Sequence, residues 1–368
     1  MIDTLHVTEL TDPSTDTGVL VVLGTGGTIA GVSQAPGSRA YLAAQLPVSS
    51  LLQGLPGQAA QMARTDGSPW LIESEQVAQV DSKDMGWPVW RALLHSLQRH
   101  LARSEVKGIV ITHGTDTLEE SALLLHALLP GGQAALGQGK PVVLTAAMRP
   151  ATAPDADGPQ NLADALSVAS WAAKHGLSGV VAVMGGKVWA GQSVRKAHSW
   201  AMDAFDGGDT QAVATVQSGV VTSLQTHWPH ALGWLMVDGD WPDALPDALP
   251  NVALVMAHAD AGPGLLNLLL QDLTLRGLVL AGTGHGTLPS AWDDTLRLAH
   301  ARGVVIWRST RVGRGGVQES LASATSAWPA TGGLTAAQAR LALSLALWCC
   351  PHSARQPAEL LCLSGSVS

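Results

Sequence analysis

Thr28, Tyr41, Thr115, Asp116 and Lys196 are the residues whose types and spacing fit nucleophilic catalysis without a cofactor. Thr28 closes the run VLVVLGTGGT, and Tyr41, the only tyrosine of the chain, follows 13 residues later. Thr115 and Asp116 close a second run of the same kind, GIVITHGTD. A hydroxyl is a weak nucleophile at its own acidity and needs a base within hydrogen-bond reach. A lysine desolvated beside Thr115 gives up its proton more readily and can then accept one, with Asp116 to orient it. Taken one at a time, each residue has a plainer reading. A threonine after glycines often caps a helix, Lys196 reads as a solvated surface lysine, and Tyr41 as a packed loop aromatic.

The elements that must position these groups follow from the pattern. Val19 to Leu23 is a buried strand, and Gly24 to Gly27 a turn that lets a ligand approach main-chain N–H groups. Gly108 to Thr112 is a second buried strand, after which Thr117 and Glu120 have capping-box spacing for a helix from Leu118 to Leu129. Hydroxyls delivered at the carboxyl ends of neighbouring strands face one crevice in an open α/β sheet. Between them, Trp87 to Arg103 has helical spacing with Trp90, Leu93, Leu94 and Leu97 on one face, and the chain is strand-like near Glu75 before Asp81-Ser82-Lys83-Asp84. Further strands are predicted at Pro141–Thr145 and Gly179–Met184, with a helix from Asn161 to Ala173 between them. A second α/β unit starts at Val252, with strands at Val252–Met256, Gly277–Leu280 and Val304–Trp307. Its helices are Gly264–Leu270, Ala291–Arg302 and a last one that Thr335 and Gln338 cap. Strand and helix alternate throughout, which predicts an α/β fold with parallel sheets.

Composition narrows the function classes. With 368 residues, 46% hydrophobic and 14% charged, the chain is globular and long enough for two domains. We expect a large domain at 1–225, a linker rich in Pro, Asp and Trp at 226–249, and a smaller domain at 250–368. A net charge of −8 argues against a nucleic-acid partner. No apolar run of membrane length occurs, and the polar, acidic first 18 residues lack the pattern of a signal peptide, so the expected compartment is the cytoplasm. The 3 cysteines, all near the C-terminus, fit neither a disulfide framework nor a zinc site. GTGGT and GTGHG both misplace the third glycine of a dinucleotide fingerprint, and Gly139-Lys140 is followed by Pro141, so no P-loop is present.

The motifs together resemble the bacterial-type L-asparaginases of the asparaginase/glutaminase family. LGTGGTIAG, ITHGTDTLEE, AAMRP followed by DGPQNL, and SVRK carry the resemblance, which runs from Val19 to about Trp348. It implies a large N-terminal domain with a flavodoxin-like parallel sheet, a smaller C-terminal α/β domain, and hydrolysis of the side-chain amide of L-asparagine without metal or organic cofactor. It implies that Thr28 forms an acyl-enzyme, and that Tyr41, in a closing lid, helps activate it. Thr115, Lys196 and Asp116 would form a polar relay. Asp116 would also hold the substrate's ammonium group, Ser82 its carboxylate, and the backbone around Ala147 the amide end; the peptide N–H groups of the glycine turn at Gly27 are, by their chemistry, candidates to bind the substrate's oxyanion. Lys83 stands where many relatives carry glutamine. Asp260 and Glu319 are the candidates for acids that a neighbouring subunit donates, in a homodimer or homotetramer. Three alternatives differ in class or specificity: a glutaminase-asparaginase that also takes L-glutamine, an amidotransferase subunit with an extra N-terminal domain, and a non-catalytic amino-acid sensor. Only 18 residues precede the first buried strand, against the amidotransferase. A sensor needs no nucleophile.

Overall fold

A computed structural model describes residues 2–4, 18–35, 40–55, 69–129, 139–225, 228–229, 245–317, 328–352 and 354. The chain forms two compact units, Met1–Gly207 with Gln211–Leu245, and Gly208–Thr210 with Pro246–Ser368.

In chain order, the strands of the first unit are β1 (Ile2–Thr4), β2 (Val19–Gly26), β3 (Val32–Ser33), β4 (Tyr41–Leu42), β5 (Leu71–Val80), β6 (Val106–Thr112), β7 (Pro141–Thr145), β8 (Gly179–Met184), β9 (Lys187–Ala190), β10 (Arg195–Lys196), β11 (Phe205–Asp206), β12 (Ala214–Gln217) and β13 (Val220–Ser223). The helices are α1 (Val48–Gln53), α2 (Trp87–Leu101), α3 (Leu118–Leu128) and α4 (Gly158–Lys174). A 9-stranded sheet has the order β1-β5-β2-β6-β7-β8-β9-β12-β13. Within it β5, β2, β6, β7 and β8 are parallel. Numbered along the chain, these parallel strands lie in the order 2-1-3-4-5, the flavodoxin-like arrangement. Its switch point, where such sheets bind ligands, falls between β2 and β6.

β2 is buried along its whole length, as a central strand covered on both faces must be. Leu20, Val22, Val110, Val143 and Val181 pack with Leu162, Leu166 and Ala169 of α4 and with Val48 and Leu52 of α1. Trp90, Leu93, Leu94 and Leu97 of α2 are all buried, each side chain contributing about 1.5–3 kcal/mol through lost water contact. α2 begins at the predicted Trp87, with a proline in its first turn where no N–H is needed.

The second unit holds a parallel sheet in the order β14 (Asn251–Met256), β15 (Leu275–Gly282), β16 (Val305–Thr310). α5 (Gly264–Leu269), α6 (Asp293–Ala301) and α7 (Ala336–Cys349) accompany it. At α7 the predicted capping box forms: Thr335 Oγ1 accepts from Gln338 N at 3.2 Å, and Gln338 Oε1 accepts from Thr335 N at 3.0 Å. The other predicted box does not form. Thr117 precedes α3 but makes no side-chain cap bond. Its hydroxyl donates instead to the carbonyl of Ser82 at 2.9 Å. The hydroxyl is turned toward a long-range acceptor beyond the end of β5 and not toward the helix N–H groups it would cap. Among the described residues, no helix is long and apolar enough to cross a membrane.

Candidate active site

The site begins with backbone. β2 ends at Gly26 (φ 102°), and Gly27 follows at φ 81°, ψ −172°, a region essentially closed to side chains. A Cβ on Gly27 would stand 2.3 Å from Gly114 Cα, and one on Gly114 would stand 2.5 Å from Ser82 Oγ. The turns after β2, β5 and β6 therefore touch through glycine. Thr25 Oγ1 donates to the carbonyl of Thr112 at 2.9 Å and ties the ends of β2 and β6 together.

Side chains are hung on these turns. Thr28 opens a single 3-10 turn, Thr28–Ala30, and is buried. Its Oγ1 lies 2.9 Å from Tyr41 Oη. The segment after Tyr41 is pinned to the same turn: Ala44 N–H donates to the Gly27 carbonyl at 3.0 Å, and Gln45 N–H to the Ala30 carbonyl at 2.7 Å. Across 81 residues of sequence, Lys196 Nζ donates to Thr115 Oγ1 at 2.9 Å and to Asp116 Oδ1 at 2.6 Å. Glu119 Oε2 accepts from Lys196 N–H at 2.8 Å and fixes the lysine's backbone over α3. The Lys196 side chain is 16% exposed and that of Asp116 58%, so the carboxylate faces solvent while the ammonium is sheltered. Lys196 is not the solvated lysine of its plainer reading.

Ser82 is buried, and its Oγ accepts from Asp116 N–H at 3.2 Å. Accepting there leaves its own proton to donate. The N–H of Gly27 is committed to the carbonyl of Val80 at 2.9 Å, so that donor serves β5 and not a ligand. Ala147 is buried in the turn after β7. This turn is braced from the start of α4: Asp157 accepts from Met148 N and Arg149 N at 2.9 Å each, and Asn161 Nδ2 donates to the Ala146 carbonyl at 3.0 Å.

Other expected residues lie elsewhere. Lys83 is exposed and pairs with Asp84 and, at 3.8 Å, with Asp81. The Asp84 carboxylate holds its ammonium above the usual lysine range. Asp260 is exposed in the second unit, after β14, with φ 59°. Glu319 lies outside the described residues.

His113 was not singled out by its type or spacing, yet it sits beneath the Gly114 contact and is fully buried. Its Nδ1 meets the Gly114 carbonyl at 2.7 Å, and its Nε2 meets Ser121 Oγ at 2.8 Å. Burial pushes its imidazole down from 6.5 to about 4, against a smaller opposite pull from that carbonyl. Between those values the unfolded chain holds more protons than the folded one, so stability falls as the pH drops through the window and is fully present above it. In urea unfolding, the stability lost between pH 7 and pH 5 is expected to be about 2 kcal/mol smaller in His113→Asn than in wild type. An equal loss in the two proteins would refute this. Asp157, Asn161 and Glu119 were also unassigned by sequence. Their signal was their place within DGPQNL and ITHGTDTLEE, next to residues already chosen.

The chain matches two described families: "Asparaginase, N-terminal" over residues 19–229 and "Glutaminase/Asparaginase C-terminal domain" over residues 251–354. It is 32% identical over 327 residues to "L-asparaginase 2" of Bacillus subtilis (strain 168), covering 89% of this chain and 81% of that one. It is 30% identical over 338 residues to "Glutaminase-asparaginase" of Acinetobacter glutaminasificans, covering 89% and 94%. The crystal structure of a probable cytoplasmic L-asparaginase from Campylobacter jejuni is similar with a TM-score of 0.78 at 29% identity, over 93% of this chain and 98% of that one.

Proposed function

The chain belongs to the asparaginase family, and from that premise we propose that it hydrolyses the side-chain amide of L-asparagine to L-aspartate and ammonia. Thr28 Oγ1 attacks the amide carbon, with Tyr41 Oη as the hydrogen-bond partner that draws off its proton. The carbon–nitrogen bond breaks, the nitrogen leaves as ammonia with the added proton, and an ester to Thr28 remains. Water then attacks that ester, oriented by Thr115 with Lys196 as its proton partner, and the proton returns to Thr28. The Thr28 N–H, at the mouth of the turn, is the peptide donor we assign to the developing oxyanion, an interaction worth about 3–4 kcal/mol. Asp116 takes the substrate's ammonium group, and the Ser82 hydroxyl its carboxylate.

The observation that carries this reading is the backbone contact of Gly27 with Gly114 at the switch point. It sets the turn that carries Thr28, bonded to a tyrosine hydroxyl, against the turn that carries Thr115, bonded to a lysine. Ammonia release from L-asparagine by purified protein is the test. Lys196→Met is expected to lower kcat by about 10³-fold, the middle of the range for a proton-transfer group. An unchanged kcat in that variant would remove Lys196 from the chemistry.

The glutaminase-asparaginase relative favours a second reading, in which L-glutamine is also cleaved. Parallel assays with the two amides decide between them, and turnover of neither leaves a binding protein. Lys83, engaged with Asp84 and Asp81, is assigned to the rim and not to the carboxylate grip. Lys83→Gln should leave the asparagine-to-glutamine ratio within about 5-fold, since an exposed paired charge is worth about 1 kcal/mol or less. Asp260 and Glu319 are assigned to a neighbouring copy's site on resemblance alone, and a dimer or tetramer is the result expected in sedimentation.

A further inference from the structure

We propose that His113 is a positioning residue for this site. Through a buried chain that runs Trp90–Ser121–His113, it holds the Gly114–Thr115 peptide at the contact between the two turns. The inference rests on the proposed function, because it concerns where Thr115 is held.

The direction of every bond in the chain follows from donor chemistry. The Trp90 indole can only donate, and Nε1 lies 2.8 Å from Ser121 Oγ, which therefore accepts. The Ser121 proton is then free to point at His113 Nε2, 2.8 Å away. At the far end, the Gly114 carbonyl can only accept, so Nδ1, at 2.7 Å, carries the hydrogen. The ring is thus a neutral imidazole of one tautomer, and burial lowers its affinity for a second proton. Three elements converge here: Trp90 from α2, Ser121 from α3 and His113 from the end of β6. All three residues are buried. His113 N–H is also fixed, donating to the carbonyl of Thr145 at the end of β7 at 2.8 Å.

The held carbonyl belongs to Gly114, whose Cα would lie 2.3 Å from a Cβ on Gly27 and whose own Cβ would strike Ser82. Turning the Gly114–Thr115 peptide would move three things together: the gap to the Thr28 turn, the Thr115 hydroxyl on Lys196, and the Asp116 N–H on Ser82. The chain therefore links α2 and α3 to the groups on the turns after β2, β5 and β6. A core histidine that merely satisfies its own polar atoms would affect folding stability and nothing else, and this difference can be tested.

The experiment compares wild type, His113→Leu, His113→Asn and Ser121→Ala, with thermal melts to establish folding. Steady-state ammonia release from L-asparagine is measured alongside nitrogen-15 NMR of labelled histidine rings. In wild type the His113 ring is expected to be neutral with hydrogen on Nδ1. His113→Leu should lose about 10²-fold in kcat, the scale of a misplacement near 1 Å. His113→Asn, whose amide nitrogen falls where Nδ1 does, should recover to within about 5-fold of wild-type kcat, since the donor to Gly114 is restored. Wild-type kcat in folded His113→Leu, or no recovery in folded His113→Asn, overturns the proposal. So does hydrogen on Nε2. If His113→Leu does not fold, Ser121→Ala decides: mixed tautomers with kcat lower by about 10-fold are expected, a cost of about 1.4 kcal/mol, and an unchanged tautomer with unchanged kcat overturns it. A wild-type protein that releases no ammonia from either amide overturns the proposed function instead, while the tautomer still reports on the chain.

Discussion

Thr28→Ala is expected to lower kcat for L-asparagine hydrolysis by about 10⁴-fold or more, the scale seen when a covalent nucleophile is removed. Folding should be little affected. The Thr28 hydroxyl makes a hydrogen bond to Tyr41 at 2.9 Å, and losing one such bond costs about 1 kcal/mol. L-Aspartate binding, followed by calorimetry, should stay within about 3-fold, because the proposed grips on the ammonium and carboxylate groups lie on Asp116 and Ser82 and are untouched. Thr28→Ser should keep measurable turnover, since it retains the oxygen. Full activity in Thr28→Ala would end the acyl-enzyme assignment and leave Thr115 as the hydroxyl to examine. A folded wild type that binds L-aspartate but turns over neither amide would point to the sensor reading.

Gly27→Ala is expected to damage fold and activity together. At φ 81° and ψ −172° an alanine is strained by about 1–3 kcal/mol before any contact is considered. Its Cβ would then stand 2.3 Å from Gly114 Cα and 2.4 Å from Gly114 N. Neither atom is the end of a flexible side chain, so one turn must move bodily. A shift near 1 Å between catalytic groups costs about 10²-fold in rate. The expected outcome is a loss of about 2–4 kcal/mol in urea unfolding and of at least about 10²-fold in kcat/KM. Gly31 offers a milder comparison, since its Cβ would meet the Thr28 carbonyl at 2.9 Å but at a φ of −85°. Wild-type stability and rate in Gly27→Ala would show that the two turns need not touch.

Much of the fold was legible because it is written locally. β7 and β8 fall on the predicted Pro141–Thr145 and Gly179–Met184, where continuous apolar runs have no other element to form. α2 follows its apolar face, and α7 its capping box. Expectation and structure part through a distant partner at Thr117 and through near ones at Lys83. Thr117 has a capping position in reach but bonds to the Ser82 carbonyl, 35 residues away in sequence. Lys83 stood one place from a proposed ligand grip but pairs with the aspartates on its own turn. His113 carried no periodicity or spacing that marks a relay, since beyond the adjacent Gly114 its partners are Ser121 on α3 and the Thr145 carbonyl at the end of β7.

The sequence by itself determined the buried parallel strands and the longer helices, the glycine turns that end β2 and β6, and the residue types placed on those turns; it did not mark the antiparallel strands β1, β9, β12 and β13 or the short pairs β3–β4 and β10–β11. These depend on side-chain period, glycine's backbone freedom and the apolar runs of buried strands, all of which act over a few residues. Only the tertiary structure decided that β2 lies between β5 and β6, that Gly27 meets Gly114, and that Lys196 reaches Thr115 and Asp116. Those facts depend on strand order and on close packing between segments far apart in the chain, where one missing Cβ decides whether two turns can touch.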